Sequence, residues 1–162
     1  MDYTNFIKEW LERAERRADF ATIDKADKFI SLWIAFNGWM KKEFDENLRD
    51  GVLIEKVKEK EEMKETFNEL KVDDNRFSSY LDLLSRYPVV NMKDPENKKL
   101  WRSYDGTFEK LIEVLYQIRC NLFHGRKLIK ENKIDRQLVH LAFDILHPLF
   151  KKYLKNHKII RY

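Results

Sequence analysis

Cysteine, glycine and proline are all scarce in this chain of 162 residues, with one, four and three copies. The single cysteine, Cys120, excludes an internal disulfide. So few glycines and prolines leave little turn-forming material, which disfavours a sheet fold with many turns. A long apolar run is missing as well. The longest, residues 29–40, is interrupted by Ser31, Asn37 and Gly38 and falls well short of the ~20 residues of a membrane span. No positively charged start leads into an apolar signal segment, so the expectation is a cytoplasmic protein without a membrane partner. No glycine-rich phosphate loop, serine nucleophile elbow or zinc-binding cysteine pattern occurs, and neither a metal nor a cofactor is expected.

What remains is 37% charged and 43% hydrophobic residues, the balance of an all-α protein. The length fits one domain over residues 1–162 with a sizeable core. Phe6, Trp10, Ala14 and Ala18 repeat at helical spacing in residues 2–18, with Asp2 or Thr4 as caps. Asp24 can cap a second helix with a core stripe of Ala26, Ile30, Trp33, Met40 and Phe44, flanked by Phe29 and Phe36. Between Lys41 and Lys71 the dense Lys and Glu residues, such as Lys58 with Glu61 and Glu62, predict a solvated surface helix, with Gly51 separating two pieces. Asp73-Asp74-Asn75 starts a helix through Phe77, Leu81 and Leu84, and residues 88–102 form a loop anchored by Val89, Val90 and Trp101. Asp105 opens a helix to Phe123, and Asp135 opens the last, over residues 137–153, with Pro148 kinking its end. No internal repeat is visible, and the expected architecture is an up-and-down bundle of about five helices.

Charge is unevenly distributed. Residues 119–162 hold eleven Lys and Arg against Glu131, Asp135 and Asp144, a balance of +8, while the remainder carries −4. A basic end of this kind suits an anionic partner such as RNA, and a solvated helix face is the alternative. The same choice applies to Lys151, Lys152, Lys155, Lys158 and Arg161.

Within that basic end stands Arg119-Cys120-Asn121-Leu122-Phe123-His124-Gly125. Arg119 shares the helix arc of Phe108, Leu111, Ile112, Leu115, Ile118 and Leu122, so a charge occupies a position where the pattern calls for a hydrophobe. Arg clamps phosphate oxygens in a planar fork, and His carries protons near neutral pH. On a continuous helix His124 would stand far round from Arg119. A left-handed Gly125 would end the helix and let His124 turn back. Arg126, Lys127 and Lys130 follow as candidate RNA contacts. Asn37 projects into an apolar stripe, either as a satisfied core amide or as a supporting residue beside the site.

The segment from Arg119 to Gly125 resembles the Arg, four to six residues, His signature of the HEPN superfamily of small helical domains. The helix from Phe29 to Asn37 is similar to an upstream helix of that superfamily. The polar residue usual directly after the Arg is Cys120 here, with the amide one place later at Asn121. The resemblance implies a metal-independent endoribonuclease working as a homodimer in prokaryotic toxin-antitoxin or antiviral defence, with Arg119, His124 and Asn121 in the catalytic site. It implies possible antitoxin or nucleotidyltransferase partners too, and the alternative of a non-catalytic dimerisation module binding such a nucleotidyltransferase.

His140, Asp144 and His147 share a helix face at metal-ligand spacing but find no obvious further ligand, which leaves a solvated face as the better reading. Trp10, Trp33, Trp39 and Trp101 fit core and anchoring positions better than a base-stacking platform. Cys120 reads as a small buried apolar group in preference to a reactive thiol.

Overall fold

The structure, a computed structural model, describes residues 1–16, 25–129 and 133–160, with the side chains of 124–129 and 133 outside that description. Among these residues the regular elements are seven α-helices and one 3-10 turn, Lys98–Leu100: α1 (Tyr3–Glu15), α2 (Lys25–Glu43), α3 (Asp50–Lys58), α4 (Glu61–Asp73), α5 (Asn75–Ser85), α6 (Phe108–Ile129) and α7 (Lys133–Asn156). The chain is all-α, as composition predicts. Seven helices stand where about five were expected, and the Lys/Glu-rich stretch supplies two of them.

Asp2 caps α1, its Oδ1 accepting from the Thr4 and Asn5 amides at 3.0 and 3.4 Å. The buried stripe is Ile7, Leu11 and Ala14, one position on from the expected Phe6 and Trp10; Ala18 lies outside the described residues. The two aromatics take the edge of the arc instead, where the Arg13 guanidinium lies 4.5 Å from the Trp10 ring. An aromatic at a helix edge can cover apolar area and leave one face wet. The expected cap Asp24 is likewise outside the description.

Helix α2 is buried on most of its circumference. Phe29 and Phe36 lie at the centre of its contacts, not on its flanks, and Ile30 and Phe44 are only half-buried. Trp39 explains the shift: it packs against Phe36, Phe150 and Tyr153 at centroid distances of 5.6, 6.1 and 5.1 Å. Aromatic pairs of this kind contribute about 0.5–1.5 kcal/mol each beyond area burial. Gly38 allows α1 close to α2, since a Cβ there would stand 2.7 Å from the Phe6 ring.

The stretch expected as a solvated helix instead buries Leu53, Ile54 and Val57 on α3 and Met63, Phe67 and Leu70 on α4. Gly51 lies inside α3, and the break falls at Glu59 and Lys60. Lys58 pairs with Glu55 and Glu113, and Lys64 with Glu109, so these lysines tie α3 and α4 to α6 and do not bridge to Glu61 or Glu62. Asp74 caps α5 through the Phe77 amide at 3.1 Å, as expected. Val89 and Arg102 exchange backbone hydrogen bonds of 2.7 and 2.9 Å and close the 88–102 loop. Trp101 Nε1 donates to the Pro95 carbonyl at 3.1 Å.

Thr107, not Asp105, opens α6: its Oγ1 accepts from the Lys110 amide at 3.2 Å, and Asp105 braces Thr107 from before the helix. Helix α7 begins earlier and ends later than expected, with Asp135 in its first turn and Pro148 inside it. It packs on α2, α4, α5 and α6. Buried residues from all seven helices join one apolar cluster. No helix among the described residues is long and apolar enough to cross a membrane.

Candidate functional site

Helix α6 buries Phe108, Leu111, Ile112, Leu115, Ile118 and Leu122, as its period predicts. Arg119 lies on the same arc with its side chain 26% exposed. Its charge is met by a residue the sequence did not single out. Asp50, in the first turn of α3, holds Oδ2 3.3 Å from Arg119 Nη2, and Asn37 of α2 donates from Nδ2 to Asp50 Oδ1 at 3.2 Å. Three helices therefore meet through one chain of polar groups, Asn37 to Asp50 to Arg119. Asn37 is half-buried, not a core amide, and its one side-chain hydrogen bond among the described residues goes to the carboxylate that pairs with Arg119.

The Arg119 guanidinium carbon also lies 4.5 Å from the centre of the Phe123 ring, and Phe123 is 54% exposed. Among the described residues, Arg119 Nε is buried without a hydrogen-bond partner and Nη1 reaches only Cys120 Sγ, at 4.0 Å. The guanidinium thus keeps donors in reserve. Its ion pair is single-pronged and partly exposed, a type worth about 0–1 kcal/mol.

Tyr116 stands beside this group, stacked on Trp33 at a centroid distance of 6.1 Å. Burial, then the neighbouring Cys120 and Asp50, push its hydroxyl up to about 12. It remains a neutral phenol at physiological pH. Cys120 is half-buried, more open than the small core group expected.

Asn121 occupies a different setting. Its Oδ1 accepts from the Met92 amide at 3.1 Å and from Gln117 Nε2 at 2.9 Å, while Nδ2 donates to the Val90 carbonyl. The amide holds the start of the 88–102 loop against α6. Its partners are mostly backbone groups distant in sequence, and no residue pattern announces them.

Helix α6 continues through Gly125 to Ile129, so the expected stop at that glycine does not form. Glycine disfavours a helix interior by about 1 kcal/mol, and the good helix formers Arg126, Lys127 and Leu128 carry it onward. The side chains of His124, Arg126 and Lys127 and the whole of Lys130 lie outside the described residues.

On α7, Asp144 pairs with Lys25 at 2.9 Å, and His147 Nε2 lies 3.7 Å from Glu15. The His147 ring stacks on Phe143 at 5.3 Å, and burial lowers its pKa. Asp144 and His147 are thus held by tertiary contacts, whereas His140 is exposed as expected of that face. No group of three or more metal-ligating residues assembles among the described residues. Comparisons with family models, with characterised proteins and with solved structures find no match to this chain.

Proposed function

We propose that the chain is a metal-independent endoribonuclease of HEPN type that acts as a homodimer in a prokaryotic toxin-antitoxin or antiviral defence system. The observation that carries this reading is Arg119: a guanidinium on an apolar arc, held at a partly open edge by Asp50 through Nη2. Cleavage without a metal needs a base for the ribose 2′-OH, an acid for the leaving 5′-oxygen and a cation for the phosphorane. Arg119 supplies the cation and His124 the proton transfers. Arg126, Lys127 and Lys130 track the RNA backbone.

Along an unbroken helix, positions 119 and 124 stand about 140° apart. That spacing favours a site assembled from two protomers, in which Arg119 of one chain works with His124 of the other and the second His124 completes the acid–base pair. Asn121 supports the site at one remove, by fixing the loop beside α6.

The second reading is a non-catalytic module that docks a nucleotidyltransferase or antitoxin. It draws on the Asp50 pair, which neutralises Arg119, and on the exposed Phe123 beside it. Incubating purified protein with RNA in EDTA, with its oligomeric state measured in parallel, separates the two. The ribonuclease reading expects 2′,3′-cyclic phosphate ends and a loss of about 10²–10⁴-fold in His124→Ala. Full activity in that variant overturns it.

A further inference from the structure

Asp50 reaches Arg119 from a separate helix, and both of its carboxylate oxygens are engaged. Oδ2 lies 3.3 Å from Arg119 Nη2, and Oδ1 accepts from Asn37 Nδ2 at 3.2 Å. The carboxylate is thereby fixed at two points, one on α6 and one on α2. It cannot rotate without loosening one of the two.

The anchors are themselves held by packing. Asn37 follows Trp33 by about one helical turn, so the two share a face of α2. Trp33 is 3% exposed and stacks on Tyr116 of α6. On α3, the buried Leu53 and Ile54 follow Asp50 by three and four residues and seat that end of the helix in the core. The position of Asp50 is therefore set by the apolar contacts of three helices.

What the pair adds to folding is small, because its side chains are 26% and 31% exposed and the contact is single-pronged. Orientation is a different quantity. An arginine has many rotatable bonds, and a guanidinium displaced by about an ångström loses much of its effect on a reacting phosphate. With Nη2 directed to Asp50 and Nε buried, Nη1 is the nitrogen left to meet an incoming oxygen. Among the described residues its contact is the Cys120 sulfur, a weak acceptor.

We propose that Asp50 is a positioning residue for RNA cleavage, one that acts through Arg119 and is itself fixed by Asn37. The carboxylate touches no substrate. It orients the guanidinium so that Nη1 faces the phosphate, and the ion pair stays intact while the phosphate binds. This inference rests on the ribonuclease reading. Its rival is a carboxylate that merely masks the cation: masking predicts faster cleavage once Asp50 is removed, and positioning predicts slower cleavage.

Single-turnover cleavage of RNA in EDTA, over a range of protein concentrations, gives the maximal rate constant and the half-saturating concentration separately. Asp50→Ala is expected to lower the rate constant at least ~10-fold and to move the half-saturating concentration less than ~3-fold. Asn37→Ala, which leaves the carboxylate with one anchor, should lose about 3-fold in the same rate constant. Asp50→Asn keeps the shape without the charge and carries the comparison if Asp50→Ala does not fold, with a loss of at least ~5-fold expected. Each Asp50 variant is then repeated in an Arg119→Ala background, where nothing is left to position and the rate should change less than ~2-fold. A loss of equal size in both backgrounds overturns the inference, as does unchanged or faster cleavage with Arg119 intact. In those cases Arg119-dependent cleavage by the wild type still upholds the ribonuclease reading. A wild type that does not cleave overturns that reading and this inference with it.

Discussion

Arg119 and Asn121 lie two residues apart on α6, and their surroundings differ in kind. Arg119 meets another side chain, Asp50, at a partly open edge and retains unused donors. Asn121 gives its amide to Met92, Val90 and Gln117 and has become part of the loop's framework. The first arrangement can be exchanged for a ligand at little cost. The second cannot, because its partners include peptide groups that have no alternative. A polar residue near a motif acts by chemistry or by construction according to whether its partners are replaceable.

Stability measurements sharpen this contrast, and the largest effect belongs to Asn121. Asn121→Ala removes three hydrogen bonds and leaves the Met92 amide and Val90 carbonyl without this partner. Urea unfolding should register a loss of roughly 2–3 kcal/mol. At the other residue, a double-mutant cycle of Arg119→Ala and Asp50→Ala should give a coupling below about 1 kcal/mol, since both side chains reach solvent. A coupling larger than the Asn121 effect would erase the distinction.

The smallest effect is a pH background shared by both. Burial among Phe143, Glu15, Asp144 and Lys151 lowers the His147 pKa in the folded state, with Glu15 and Asp144 opposing and Lys151 assisting. Below about pH 6.5 the unfolded chain therefore binds this proton more readily than the folded one, and stability falls as pH drops from there toward the folded pKa. Chemical unfolding at a series of pH values should show a shallower decline in His147→Gln. The Asn121 and Arg119 comparisons are best made above that window.

Helical class, the starts of α1 and α5 and the anomaly at Arg119 were legible in the sequence, because periodicity reports which face is buried and Arg119 violates it. The ion-pair partner was not. Asp50 sits in a run of alternating charges where any carboxylate looks solvated, and only the packing of α3 on α6 selects it. Asn37 was visible as an inconsistency, but its partner was hidden for the same reason. The α1 stripe was read one position off because Phe6 and Trp10 are large enough to suggest a core while lying at its edge. Gly125 read as a helix stop because local conformational freedom permits one; the residues after it favour continuation, and the helix continues.

The central claim is that Arg119 serves RNA phosphate while Asn121 serves the fold. The most direct measurement is single-turnover RNA cleavage in EDTA by Arg119→Ala, on protein shown by its unfolding curve to be as stable as wild type within about 1 kcal/mol. The account predicts a loss of at least ~10²-fold in the cleavage step. Wild-type cleavage by that variant would contradict it.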